Sequence, residues 1–255
     1  MTSKFNLSIT AKYISQSQLA RVLTEDWVKR SISCPACGSS IKQFTNNSPV
    51  ADFYCPHCKE EYELKSKKNS LGNMVVDGAY DAKMRRLRSL NNPNLLLLTY
   101  DPVRFEAKDL VVMPKQFFVP EIIQKRPPLA LTARRAGWVG SNILISKVPL
   151  AGKIYVFKSG RLEPRREIEK QWEKVIFLRQ FKNAEQRGWT LDTMRCVESL
   201  GKKEFSLSDI YKFEKKLAIE HPKNLHIKDK LRQQLQILRD KGYLKFDGSG
   251  HYRLV

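Results

Sequence analysis

Cys34, Cys37, Cys55 and Cys58 fall in the pattern C-x2-C-x17-C-x2-C. Each CxxC turn can aim two thiolates at one ion, and two such turns close a tetrahedron, so the spacing predicts a zinc site. Four sulfur ligands leave no open coordination position, and the zinc is expected to contribute folding free energy rather than to activate water. A redox pair or unligated cysteines are the alternatives. Around these cysteines stand two acids that such a site does not need: Asp52, three residues before Cys55, and Glu63, five after Cys58. In EYELK the period of a strand puts Glu63 and Lys65 on one face and Tyr62 and Leu64 on the other. The zinc turn joins this strand to the one beginning near Asp52 and can hold the three groups in a fixed relation. Two carboxylates suit a hard divalent cation such as Mg²⁺. Lys65 beside them can orient or deprotonate a water for in-line attack on a phosphodiester, the cation stabilising charge on the scissile phosphate.

Taken alone, D-x10-E-x-K also fits a half-solvated strand. Three features favour the metal site: the acids follow a helix, they precede a basic helix and a buried strand, and the chain is charged to bind nucleic acid. Glu25, in the preceding helix, is read as a solvated helix charge, with an auxiliary carboxylate as the other assignment.

The elements that must position these groups follow from periodicity. Leu19, Val22, Leu23 and Trp27 are spaced for an amphipathic helix over 17–30, ahead of the cysteines. ADFYC and EEYELKSKK read as strands, GAYDAKMRRLRSL (78–90) as a basic helix, and NLLLLTY (94–100) as a strand buried on both faces. DLVVMPKQFF follows as a strand, 120–150 as a long ordered loop, IYVFKSGRL (154–162) as a hairpin, and REIEKQWEKVIFLRQF as a helix. This order describes an α/β layer rather than a bundle. A boundary is expected near 182–188, giving units 1–181 and 188–255. The second unit shows three helical patterns, TLDTMRCVESL, SLSDIYKFEKKLAIE and IKDKLRQQLQILRDKG, then a hairpin through YLKFDGSGHYRLV. That is the winged variant of helix-turn-helix, an α+β unit.

Lys+Arg 46 against Asp+Glu 26 gives a net charge of +20 over 255 residues, a field that favours polyanions, nucleic acid first and anionic membrane second. No apolar run approaches a spanning helix and MTSKFNLSIT lacks a secretory hydrophobic stretch, so a cytoplasmic protein with reduced cysteines is expected. Cys196 stands apart as a small buried residue. A monomer is expected.

At this point the strings LTEDWV, CPACG, PVADFYC, ELKSKK, VDGAY, TARRAGW and LRQQLQILRDK together resemble the DpnI-type methyl-directed restriction endonucleases, of the PD-(D/E)xK nuclease superfamily, over nearly the whole chain. The match weakens in the first residues, around 101–109 and near 183. The resemblance implies a PD-(D/E)xK core with an embedded zinc site and Mg²⁺-dependent double-strand cleavage at GATC sites carrying N6-methyladenine. It also implies a C-terminal winged helix that recognises methylated DNA. By position, Asp52 and Glu63 match the metal-binding carboxylates, Lys65 the catalytic lysine, and the four cysteines the zinc ligands. Val50-Ala51 stand where the superfamily signature has a proline directly before the aspartate; Pro49 sits slightly earlier.

Recognising an adenine methyl group requires an apolar or aromatic surface beside groups that read base edges. Trp138, between Gly137 and Gly140, is the first candidate, with Arg134 and Arg135 on phosphate or guanine; burial of Trp138 as a core anchor fits its sequence equally. Arg85, Arg86 and Arg88 can line the DNA backbone or form a solvated helix face. In the last helix, Ile227, Leu231, Leu235 and Leu238 form the buried stripe and Lys228, Lys230, Arg232 and Gln233 the face offered to the major groove. His251 and Arg253 in the wing can reach phosphate or the minor groove, while Trp189 is read as packing. The competing class is a non-catalytic regulator in which zinc knuckle and winged helix only bind DNA. A nuclease of another specificity is a second alternative.

Overall fold

Seven consecutive buried residues, Asn94 to Tyr100, make the strand at the centre of the large sheet. The computed structural model describes residues 2–11, 13–45, 51–88, 92–181 and 183–255. Its elements in chain order are α1 (Gln16–Ser31), β1 (Lys42–Gln43), β2 (Phe53–Tyr54), β3 (Glu61–Lys68), β4 (Val75–Ala79), α2 (Tyr80–Arg88), β5 (Asn94–Asp101), β6 (Glu106–Met113), β7 (Ile123–Lys125), β8 (Gly140–Ile143), β9 (Ile154–Lys158), β10 (Arg161–Leu162) and α3 (Arg165–Ile176). There follow α4 (Ala184–Ser199), β11 (Glu204–Ser206), α5 (Leu207–Tyr211), α6 (Glu214–Glu220), α7 (Ile227–Asp240), β12 (Leu244–Gly248) and β13 (His251–Leu254).

The large sheet runs β1-β2-β3-β5-β6-β9-β10. Only β3 and β5 are parallel, with Glu63 opposite Leu95 and Lys65 opposite Leu97. A parallel pair needs a crossover, and here β4 and α2 supply it. Trp27 of α1 is fully buried and meets Phe157 of β9 edge-on at 5.0 Å, so the helix before the cysteines is fixed to the sheet. A smaller sheet, β4-β8-β7, lies beside the first.

Several expectations change. The segment read as a helix from Gly78 is strand through Ala79, and α2 starts at Tyr80. The strand expected over DLVVMPKQFF begins earlier, at Glu106, and stops before Pro114, whose φ of −61° and missing N–H turn the chain into a 3-10 turn. The long loop 120–150 contains β7 and β8, strands too short to show a period. SLSDIYKFEKKLAIE splits into α5 and α6 at Lys212-Phe213, and the helix read from Thr190 begins at Ala184, where Asn183 caps it by accepting from Gln186 N. The hairpin at the C terminus pairs with a further strand, β11, to make a three-stranded wing.

Glu198 of α4 ties this helix to the turn at Leu150-Ala151 and to Tyr243 before β12. Its carboxylate accepts from Leu150 N at 2.6 Å and Ala151 N at 3.0 Å, and from the Tyr243 hydroxyl at 3.1 Å.

Candidate metal and catalytic centre

The two cysteine turns share one conformation. In each, the residue four after the first cysteine donates its N–H to that cysteine's carbonyl, Gly38 to Cys34 at 2.7 Å and Lys59 to Cys55 at 3.0 Å. Both donors sit in the left-handed region, at φ 69° and 62°. Glycine enters it freely; at Lys59 the ammonium donates to Pro56 O at 2.7 Å, closing the turn. Cys34 Sγ lies 3.5 Å from Cys58 Sγ and Cys37 Sγ 3.5 Å from Cys55 Sγ, with all four ligand atoms within 4.8 Å. This is far beyond the roughly 2 Å of a disulfide and near the edge, about 3.8 Å, of a tetrahedron with Zn–S bonds of about 2.3 Å. Burial raises the Cys34 thiol to about 11; it also raises Cys58, whose sulfur neighbours add to the effect. Burial acts the same way on Cys37, but the Ser39 N–H and hydroxyl outweigh it and bring that thiol to about 6. Four sulfurs this close cannot all ionise without a cation among them, so the cluster can hold Zn²⁺. Among the described residues no other group of three or more potential ligands converges.

The knuckle is tied to its surroundings on two sides. Arg165 of α3 donates to Gly38 O at 3.0 Å and Cys37 O at 2.6 Å. Next to the second turn, the buried Glu60 accepts from Asn94 Nδ2 at 2.7 Å and pairs with Arg179 at 2.9 Å.

Asp52 stands at the start of β2. Its N–H donates to Tyr62 O at 2.9 Å and its Oδ2 accepts from Leu64 N at 2.6 Å, so backbone and carboxylate both bridge to β3. Burial raises the Asp52 pKa; the Leu64 N–H opposes this and the Glu63 carboxylate adds to it. Glu63 and Lys65 are neighbours on one face, with Lys65 Nζ 2.8 Å from Glu63 Oε1. Glu25 is not a solvated helix charge. Its side chain is only 12% exposed, it accepts from Gln43 Nε2 at 3.0 Å, and its pKa is raised, first by burial and also by Asp52. Glu63 thus disfavours the ionisation of Asp52, and Asp52 that of Glu25, an electrostatic setting that a divalent cation relieves.

Sequence patterns missed two members of this centre. Asp77 of β4 lies 3.0 Å from Lys65 Nζ, and Lys83 of α2 lies 2.8 Å from Asp77 and 3.5 Å from Glu63. Burial disfavours the Lys65 ammonium, yet Glu63 and Asp77 outweigh it and hold its pKa above the usual value; Lys83 and Lys65 likewise overcome burial and hold Asp77 below its own. The signal was an acid at an inward position of an alternating strand, Val75 and Asp77 in, Val76 and Gly78 out. From sequence, 75–77 falls in no element and the following helix starts at Gly78, which hides the alternation.

Trp138 and its arginines lie on the extension between β7 and β8. Leu129 N donates to Trp138 O and Gly137 N to Leu129 O, both at 3.0 Å. Trp138 is half-buried over Gly140, where an added Cβ would meet its ring at 2.8 Å, and Arg135 stacks on it at 4.7 Å; Arg134 and Arg135 are exposed. Arg85 is exposed and Arg86 half-buried, while the Arg88 side chain, like Pro49 and Val50, lies outside the described residues. In α7 the stripe Ile227, Leu231, Leu235 and Leu238 is buried and Lys228, Arg232 and Gln233 are exposed. Lys228 pairs with Glu214 at 3.2 Å, Lys230 donates to Gln233 at 2.9 Å and Arg232 to the Tyr211 hydroxyl at 2.8 Å. His251 is exposed, and Arg253 pairs with Asp247 at 3.0 Å. Trp189 is buried and stacked on His221 at 3.8 Å.

A chain with a mixed sheet, a four-cysteine cluster and a small helical unit closed by a wing is of the DNA-acting kind that comparison with known families then specifies. The DpnI family model, described as the Dam-replacing family, matches residues 1–181, and the model described as the Dam-replacing HTH domain matches residues 185–254. The chain belongs to the DpnI, or Dam-replacing, family. Membership supports a restriction-type, methyl-directed DNA enzyme with a C-terminal helix-turn-helix domain. No helix among the described residues is long and apolar enough to cross a membrane.

Proposed function

We propose that the protein is a type II, methyl-directed endonuclease that hydrolyses both strands of DNA at GATC sites carrying N6-methyladenine, using Mg²⁺ at a PD-(D/E)xK core. The observation that carries this reading is the placement of Glu63 and Lys65 2.8 Å apart on β3, with Asp52 bonded to the same strand, in a chain of the DpnI family. Asp52 and Glu63 would hold the ion, and the disfavoured charge of Asp52 beside Glu63 fits that task. When bound, Mg²⁺ supplies positive charge at the scissile phosphate. Glu63 fixes the Lys65 ammonium, which would orient the attacking water by donating a hydrogen bond to it. Tight packing around β3 keeps these groups aligned, as in-line displacement requires.

Residues 1–181 would form the cutting unit and 188–255 a reading unit, with the first turn of α4 as the joint. Arg134, Arg135 and Trp138 project on the first, Trp138 offering an aromatic face to the adenine methyl. Lys228, Lys230, Arg232 and Gln233 would enter the major groove and His251 and Arg253 the adjacent backbone. Zn²⁺ on the four cysteines holds the knuckle that aligns Asp52 with Glu63.

The test is digestion of plasmid DNA, adenine-methylated or unmethylated, with and without Mg²⁺. Discrete fragments from methylated DNA alone, mapping to GATC, are expected. Binding without cleavage would instead identify a regulator, and cuts elsewhere a nuclease of different specificity.

A further inference from the structure

Four charged groups from three elements close a ring. Lys65 Nζ lies 2.8 Å from Glu63 Oε1 and 3.0 Å from Asp77 Oδ1; Lys83 Nζ lies 2.8 Å from Asp77 Oδ2 and 3.5 Å from Glu63 Oε2. The ring has an open half and a buried half. Glu63 and Lys65 are 18% and 25% exposed, whereas Asp77 and Lys83 are 4% and 5%. Lys83 is further confined by the Phe118 ring, 5.0 Å from its ammonium. Asp77 is fixed through its strand, opposite Ser141, whose hydroxyl donates to Gly78 O at 3.0 Å.

A lysine has four rotatable stem bonds, and a group that acts on water must be held to within about 0.5 Å. Glu63 cannot do this alone if its oxygens are drawn to a cation. The other carboxylate on Lys65 is Asp77. Left unpaired, a buried aspartate would itself compete for the cation or turn away; Lys83 neutralises it and fixes its orientation.

We propose that Asp77 is the positioning residue for Lys65, anchored in turn by Lys83, so that the amine keeps its place when Glu63 engages the metal. This rests on the nuclease reading above, but its test has a branch that needs neither metal nor DNA. Amine-reactive labelling followed by mass spectrometry reads the freedom of Lys65 in the intact, metal-free chain. Asp77→Asn is expected to label several-fold faster at Lys65 than the natural protein. It is also expected to lower single-turnover cleavage of methylated DNA by roughly a hundredfold, the cost of a reactive group displaced by about 1 Å, with DNA affinity unchanged.

The neutral pair Asp77→Asn with Lys83→Met separates positioning from packing, since removing both buried charges together relieves the cost of stranding one. The double variant should melt close to the natural protein and still cleave poorly. If Asp77→Asn alone does not fold, the double variant carries the same comparison. Recovery of cleavage in the double variant, or unchanged labelling of Lys65, overturns the proposal. Failure of the natural protein to cut any methylated plasmid, with labelling behaving as expected, overturns the nuclease reading and leaves the ring in place.

Discussion

The Tyr62 hydroxyl lies 3.0 Å from Cys34 Sγ, and the next residue along β3 is Glu63. Strand alternation therefore turns one side chain into the cysteine cluster and its neighbour into the ionic ring, so the two centres share a single piece of backbone. Tyr62 is fully buried, and against a metal-bound thiolate its hydroxyl is the donor. Tyr62→Phe removes that donor without changing the shape of the ring. Loss of such an outer partner costs about 10–100-fold in metal affinity. Zinc should pass to a chromogenic chelator faster from the variant than from the natural protein; equal release rates would show that the hydroxyl does not support the cluster.

Gly38 has φ 69°, and a Cβ there would fall 1.7 Å from the Arg165 guanidinium. Gly38→Ala must displace that guanidinium from Cys37 O and Gly38 O as well as force alanine into the left-handed region. A loss of at least about 1 kcal/mol is expected, measured as a lower denaturation midpoint. Arg165→Ala should cost less and should make Gly38→Ala less damaging, because the guanidinium no longer fills the space. Strict additivity of the two would mean that they do not meet.

The cysteine spacing and the stripe of α7 are legible as residue types repeated at a fixed interval and β5 as an unbroken apolar run, and the structure keeps all three. Glu25 reads as solvated because a helix charge commonly is, whereas the groups that bury it, Gln43 as donor and Asp52 as a like charge, come from elsewhere in the chain. Asp77 and Lys83 were illegible for a related reason. Their roles depend on how β4 folds back over β3, a relation set by packing of strands 3–5 residues long, which carry too few periods to be recognised.

Asp52 has its pKa raised, chiefly by burial and further by Glu63, and Glu25 is raised in the same direction by burial and by Asp52. A raised carboxylate contributes stability that is complete below its unfolded pKa and lost as pH rises through the folded value. Near neutral pH these groups therefore burden the metal-free fold, and a divalent cation relieves the burden. Mg²⁺ or Ca²⁺ should raise the melting temperature at neutral pH, by about 2.7 kcal/mol of stability at a hundredfold excess over Kd, and less as pH falls into the carboxylate range. Asp52→Asn should raise the metal-free melting temperature and abolish the shift. A shift of equal size in Asp52→Asn would place the cation elsewhere.

Asp209 closes a capping box at the start of α5, where Ser206 accepts from its N–H and its carboxylate accepts from Ser206 N. Lys202 first, then Ser206 N and Lys212, hold its pKa below the usual carboxylate range. A depressed carboxylate contributes stability that is present above its unfolded pKa and lost as pH falls through the folded value. Asp209→Ala should thus lower the melting temperature at neutral pH, with the gap to the natural protein closing on acidification. Ser206→Ala should cost about 1 kcal/mol with a weaker pH dependence of the same sign, because its hydroxyl is one of several donors to the Asp209 carboxylate, at 3.0 Å. A gap for Asp209→Ala that persists undiminished in acid would assign the aspartate a packing role only.

Lys228, Arg232 and Gln233 are exposed on α7, but they differ in what they can give to DNA. A cation placed against a phosphate releases a condensed counterion, and each such contact contributes about 0.9 to the slope of log K against log salt. Lys228 is held by Glu214 and Arg232 by the Tyr211 hydroxyl, arrangements that pre-orient both side chains at the start of the helix. Lys228→Ala and Arg232→Ala should each reduce the salt slope by about one and weaken methylated and unmethylated DNA alike. Gln233 carries no charge. Its loss should leave the salt slope unchanged while narrowing the preference between the correct site and a mismatched one, by about 1–3 kcal/mol if it contacts a base edge. Titrations by fluorescence anisotropy at several salt concentrations decide the matter: if the lysine and arginine variants keep the natural slope, α7 does not lie against the DNA backbone, and binding by the C-terminal unit must run through the wing.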